Sequence, residues 1–427
     1  MRGPSWPDTL KLAFREALLQ QAALFLDHID RWPEPGSLLA KQLAQLTATH
    51  GWLTVVAGTT RWNPEDISGP TVFYALELPY PDVPLRQALW AEYLPNGGEN
   101  SQVWAATLAE RFRLTPGQIG AAAAWAEQRQ LMTGQPLGLG EFCEASRHQS
   151  QHALGELAVK IEPGYGWKDI ILPQDTRWSL NEICNQVKYQ YRVFRDWGFG
   201  RRLSHGKGLS VLFTGPPGTG KTMAAEVIAH ELELDLYKID LSGVVSKYIG
   251  ETEKNLSRIF REAEHTNAIL FFDEADALFG KRTQVSDAHD RYANIEVSYL
   301  LQKMEEYEGV VILATNLGEN MDEAFVRRLR FIVEFPFPDA ASRREIWRTH
   351  FPKAAPVDGD MDYEWLATQF PIAGGNIKNI VLNAAFLAAA EGGNIGVACV
   401  LEATRQEYGK LGKLWDQGNL AKVLQRN

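Results

Sequence analysis

Eight consecutive residues, Gly215-Pro216-Pro217-Gly218-Thr219-Gly220-Lys221-Thr222, are built to hold a phosphate chain. They match the pattern G-x-x-x-x-G-K-[ST], in which glycines let backbone N–H groups wrap a phosphate and a following helix N-terminus adds a favourable dipole. Lys221 is placed to reach the β- and γ-phosphates, and the Thr222 hydroxyl to hold Mg²⁺. Farther on, Ile269-Leu270-Phe271-Phe272 reads as a buried strand that ends in two carboxylates, Asp273 and Glu274. In an open α/β sheet ligands bind at that end of a strand. Asp273 is expected to hold Mg²⁺, and Glu274 to orient and polarise an attacking water. Val311-Ile312-Leu313-Ala314-Thr315-Asn316 is a second buried strand, with Asn316 able to donate to a γ-phosphate or to place the water. Thr-Asn is also ordinary turn chemistry, so Asn316 alone carries little. The set implies ATP and Mg²⁺.

The elements that must position these groups are legible around them. Leu209–Thr214 is a short apolar strand before the glycine loop, and Met223–His230 is a good helix after it. Residues 209–338 alternate apolar strands with helices, the pattern of a parallel sheet covered on both faces. From Ala340 onward the pattern is helical, including the Ala-rich 383–391. An amphipathic helix is expected near 178–196. The expected organisation is an α/β core over 166–338 and a helical domain over 339–427. A connector with some helix is expected over 136–165, and a front unit over 1–135.

The front unit repeats the back. Glu77–Pro95 lies 257 positions before Glu334–Pro352, and seven of the 19 columns are identical, among them Asp82/Asp339, Arg86/Arg343 and Trp90/Trp347. Composition alone gives roughly one. With one more residue of offset, Phe112, Gly117, Ile119 and Ala126 face Phe370, Gly375, Ile377 and Ala384. Upstream, 23–30 resembles 269–276 and 54–60 resembles 310–316. The chemistry has gone from the first copy. His28 stands for Glu274, Thr60 for Asn316, Pro70 and Phe73 for Arg327 and Arg330, and no glycine loop precedes Asp27. The expectation is a degenerate partial copy that binds no nucleotide.

Composition narrows the class. Hydrophobic residues at 45% and charged residues at 22% are ordinary for a globular protein. A net charge of −10 argues against nucleic acid as partner. The three cysteines, Cys143, Cys184 and Cys399, fit neither a metal site nor a disulfide framework. No apolar run approaches the roughly 18 residues of a membrane span, and Met1–Pro7 lacks the apolar stretch of a signal peptide. These features imply no membrane partner and a cytoplasmic location.

Taken together, Gly215–Thr222, Asp273-Glu274, Asn316 and the run Met321–Phe331 resemble AAA+ ATPases. The run is similar to the second region of homology that marks the AAA clade. The resemblance covers about 165–427, and 10–135 as a degraded copy. It implies a P-loop AAA+ module with a helical lid, and a ring, usually of six subunits. In such a ring Arg327 and Arg330 act as arginine fingers in the neighbour's site, with Arg328 a near alternative. Ser246–Glu251 resembles the family's pore loop, so Lys247, Tyr248 and Ile249 would grip a threaded polypeptide. Trp167, Asp169 and Ile170 match the segment laid against adenine, and Gly374-Gly375 the turn opposite it in the lid. No arginine stands in that turn, where other AAA+ proteins carry one, and Lys378 is the nearest cation. The stretch 287–297 and Arg327–Phe331 resemble the tandem ATPases of bacterial contractile, phage-tail-like injection particles.

The expected function is an ATP-driven motor that remodels or threads a protein substrate. Two other classes fit parts of the sequence. One is a regulatory nucleotide-binding scaffold with little turnover; the other is a DNA-handling AAA+ protein, which the acidic charge disfavours.

Overall fold

The computed structural model describes residues 6–29, 38–50, 53–58, 73–95, 99–134, 136–150, 158–202, 206–241, 251–264, 268–276, 298–316, 323–359 and 361–413. The chain divides into two compact units, Met1–Pro79 and Tyr80–Asn427. The division falls inside the stretch expected as one front unit.

The first unit holds α1 (Trp6–Leu19), β1 (Leu24–Leu26), α2 (Leu38–His50) and β2 (Thr54–Val56). Leu10, Phe14 and Leu43 form its small core. β1 and β2 pair in parallel, with Leu24 opposite Thr54.

The second unit opens with four helices, α3 (Val83–Tyr93), α4 (Glu99–Arg111), α5 (Pro116–Thr133) and α6 (Leu139–Ser150). Asp82 caps α3 by accepting from the Leu85 N–H, and Thr115 with Gln118 forms a capping box on α5. These ends satisfy N–H groups that the first helical turn cannot. Trp90, Leu108, Ile119 and Phe142 pack the interior. α6 lies within the stretch expected as a connector, and its Phe142, Cys143 and Ala145 belong to this core.

A six-stranded sheet follows, built from β3 (Val159–Ile161), β4 (Leu209–Thr214), β5 (Leu236–Asp240), β6 (Ile269–Asp273), β7 (Val310–Thr315) and β8 (Phe331–Glu334). Its order is β3-β5-β6-β7-β4-β8. All neighbours run parallel except β3, which is antiparallel to β5. β6 and β7 are almost wholly buried, as expected of central strands in a sheet covered on both faces.

α7 (Gln174–Tyr191) and α8 (Lys221–Leu232) contribute to the apolar layer on one face. α9 (Glu251–Ala263) and α10 (residues 298–306) contribute to the layer on the other. The helix expected to run to 196 changes pitch at Arg192 and finishes as a π turn, Arg192–Asp196. A short helix α11 (Glu323–Val326) precedes β8.

The lid is α12 (Ala340–His350), α13 (Tyr363–Gln369), α14 (Gly374–Glu391) and α15 (Val397–Lys410), around Trp347, Leu366, Ile377 and Val400. Among the described residues no helix is long and apolar enough to cross a membrane.

The two halves of the repeat share local geometry. Arg86 donates from Nε to the Ala109 carbonyl (2.9 Å) and from Nη1 to that of Pro81 (2.5 Å). Arg343 does the same to Ala367 (2.8 Å) and Pro338 (2.5 Å). Trp90 and Trp347 are both fully buried. At the strand ends His28 (φ 56°) and Glu274 (φ 54°) adopt the same left-handed backbone, and each N–H donates to the preceding aspartate.

One detail of the alignment shifts. Leu24 pairs with Thr54 where Leu270 pairs with Val311, so Thr59 rather than Thr60 corresponds to Asn316. Thr59, Thr60 and Pro70 lie outside the described residues.

Candidate nucleotide site

The glycine loop joins β4 to α8 at the C-terminal edge of the sheet. Gly215 takes φ 139°, and a Cβ there would stand 2.2 Å from the Phe335 carbonyl oxygen, so only glycine fits. Lys221 is nearly buried. Its ammonium donates to the carbonyls of Gly215 (2.6 Å) and Pro216 (3.1 Å) and to Asn316 Oδ1 (2.8 Å). Burial pulls its pKa below the ordinary lysine value, against the opposing pull of Asp273 and Asp276. A polyphosphate here would meet a cation already stripped of most of its water.

The strand ends bring the acids to the same place. Asp273 closes β6 and pairs with Lys238 at 2.7 Å. Glu274 holds its left-handed backbone beside it, a costly conformation for a non-glycine residue that concentrates at functional sites. Asn316 follows β7 and is held by a residue that sequence reasoning did not single out. Asp276 accepts from the Asn316 N–H (2.8 Å), the Asn316 side-chain amide (3.0 Å) and the buried Thr315 hydroxyl. The Asn316 amide is thereby oriented with its oxygen on Lys221.

A cavity of about 670 Å³ unites these groups. Pro217–Thr222, Asp273, Glu274, Asn316, Asp169, Ile170, Gly374 and Gly375 all line it. Gly215 and Pro216 instead form the loop's base through their carbonyls on Lys221. The lid is tied to the loop, since the Gly375 N–H donates to the Gly218 carbonyl at 2.9 Å. A Cβ on Gly375 would come within 3.1 Å of Gly218 Cα.

Asp169 accepts from the Gly166 N–H at 2.8 Å and so shapes the turn before Ile170. Trp167 instead donates to Glu231 (3.0 Å) and lies under Arg177, which anchors this segment to the far end of α8. Lys378 donates to the Tyr165 hydroxyl at 3.2 Å across the cavity. His350 also lines it, with Nδ1 2.9 Å from the Ile346 carbonyl and its pKa lowered by burial. His350 carries no local motif, and only its place at the end of the helix capped by Asp339 could have pointed to it.

Arg327 and Arg330 are not brought to this cavity. The Arg330 N–H donates to the Ser210 carbonyl, at the start of β4. From there to Thr214 the strand advances roughly 13 Å, away from Arg330 and toward the glycine loop. Both arginines are exposed, and Arg328 pairs with Glu305. Lys247, Tyr248 and Ile249 lie outside the described residues.

The chain is similar in sequence to known proteins. Residues 211–338 match the ATPase family associated with various cellular activities (AAA). This chain carries an AAA ATPase domain. Residues 82–152 match the contractile injection system ATPase helical domain, which spans α3–α6. Similar proteins include a cell division cycle protein 48 homolog of Archaeoglobus fulgidus, 31% identical over 59% of this chain and 34% of its own length. The proteasome-activating nucleotidase of Aeropyrum pernix is 35% identical over 56% of this chain and 59% of its own. The 26S proteasome subunit RPT4 of Saccharomyces cerevisiae is 35% identical over 42% of each chain. The chain thus spans about a third to three fifths of the length of these AAA relatives.

Proposed function

We propose that this protein hydrolyses ATP in a ring of identical subunits, and that turnover drives remodelling or threading of a protein substrate. The observation that carries the reading is the convergence of Lys221, Thr222, Asp273, Glu274 and Asn316 on one cavity closed by the lid's Gly374-Gly375 turn. Lys221 and the loop N–H groups bind the phosphates. Glu274 accepts a proton from water as that water attacks, and Asn316 fixes the water's position.

The donor set suits Mg²⁺, which keeps several waters and takes few protein oxygens. Thr222 and Asp273 face the same cavity, and the charge of Asp273 acts on Lys221 beside it. Bound there, Mg²⁺ would neutralise charge on the phosphate oxygens.

Arg327 and Arg330 complete the site of a neighbouring subunit. Their position at the opposite end of the sheet from their own glycine loop supports action in trans. Six subunits is the expected ring. Lys247, Tyr248 and Ile249 contact the threaded chain. The match of 82–152 supports service to a contractile injection particle, with 1–135 acting as a degenerate copy kept for assembly or substrate recruitment.

Purified protein tests this. Glu274→Gln should bind ATP and turn over at least about a hundredfold more slowly, and Tyr248→Ala should keep basal turnover while losing substrate remodelling. Wild-type turnover by Glu274→Gln removes Glu274 from the chemistry. Intact remodelling by Tyr248→Ala removes the threading role, and an inert wild-type protein favours a scaffold.

A further inference from the structure

A second large cavity, about 820 Å³, lies at the other edge of the sheet, between the α3–α6 domain and the AAA core. The helical wall carries Arg86, Arg111 and Arg113. The core wall is made by the end of α7, the π turn, and the starts of β6 and β7 at Ala268 and Val310. Ion pairs join the walls, Arg111 to Glu233 at 2.5 Å and Arg113 to Glu308 at 3.0 Å.

Charge is unevenly distributed in it. Seven cationic side chains line the cavity against two carboxylates, Glu110 and Glu308, in a chain whose net charge is −10; of the seven, Lys188 also pairs with Glu231 at 2.5 Å and Lys207 with Glu308 at 3.6 Å. Arg86 is 6% exposed; its Nε and Nη1 serve carbonyls, and its Nη2 has no partner among the described residues. Burial, then the charge of Arg113, lowers its pKa to about 10. Arg195 and Arg201 stand at the core wall with no carboxylate partner among the described residues, Arg195 lying over the Tyr191 ring at 5.4 Å. Arg195 belongs to the π turn, a geometry that is rare and concentrates at functional sites.

We propose that this cavity binds a small phosphate-bearing anion, up to a nucleotide in size. Its volume lies in the range of small-molecule sites. Arginine forks arriving from separate elements suit the several oxygens of a phosphate group, which accept paired N–H bonds. Tyr191 and Phe194 add ring faces beside them. Phe194 also lies 5.8 Å under the Arg330 guanidinium, so the cavity wall touches a residue proposed to act on the neighbouring subunit.

The test uses the full chain carrying Lys221→Ala, which silences the glycine loop, with inorganic pyrophosphate and ADP as calorimetric probes. Binding of pyrophosphate is expected, weakening as salt rises. Binding of ADP alone would assign the site to nucleotides. Arg195→Glu/Arg201→Glu should weaken the bound probe at least about tenfold. These two side chains are exposed, so the variant should keep its circular dichroism and unfolding midpoint. Arg113→Gln, on the opposite wall, should weaken the same probe. Failure of both probes to bind, or unchanged binding in either variant, overturns the site.

Discussion

Asp276→Asn probes the link between Asn316 and the phosphates. The aspartate accepts, among the bonds made by the described residues, two from Asn316 and one from the buried Thr315 hydroxyl. A bond to a charged acceptor contributes about 1.5–3 kcal/mol and a neutral one about 1. An amide oxygen in the place of Oδ1 keeps the Thr315 and Asn316 N–H bonds in weaker, neutral form, while the amide nitrogen loses the Asn316 side-chain bond, so the clamp weakens by about 2 kcal/mol. If that energy holds Asn316 in the geometry needed to place water, kcat falls by about thirtyfold. ATP affinity should change by less than about threefold, because the loop N–H groups remain intact. Steady-state phosphate release across ATP concentrations gives both numbers. Turnover within about twofold of wild type would refute the clamp, as would a loss confined to KM.

Two further outcomes follow from the lid. Gly375→Val should weaken nucleotide binding and loosen the lid, because the added Cβ would press on Gly218 Cα; equilibrium ATP binding unchanged from wild type would contradict this. His350, half-buried with a lowered pKa, is protonated in the unfolded chain before it is protonated in the folded one. Its contribution makes stability fall as pH drops through the ordinary histidine range and level off below the folded pKa. His350→Gln should flatten that part of a melting-temperature series between neutral and mildly acid pH, and an unchanged slope would assign the dependence elsewhere.

The sequence makes the chemistry legible where the chemistry is local. Gly215–Thr222 and Asp273-Glu274 are contiguous runs at strand ends, and the fold brings them together as their types require. Asp276 was not legible as a clamp because its partner lies 40 residues on and no motif joins them. Arg86 and Arg343 stood out as repeat columns, yet only the structure shows each one tying its helix to the carbonyl of the preceding loop and to a carbonyl near the end of the next helix. The slip between Thr59 and Thr60 has a simple cause. Apolar strands look alike when moved by one residue, whereas backbone pairing fixes the register. The π turn at Arg192–Asp196 was hidden because its residues continue an amphipathic pattern, and pitch leaves no mark in composition.

The central claim is a nucleotide site completed by a neighbour. Mixing Arg330→Ala subunits with Lys221→Ala subunits tests it most directly. Each variant alone should be nearly inactive, one lacking the finger and the other lacking the phosphate-binding lysine. In mixed assemblies a Lys221 site can face an intact Arg330, so phosphate release should reappear and peak at intermediate ratios. Mixtures as inactive as the separate variants, or Arg330→Ala alone turning over at the wild-type rate, would contradict the account.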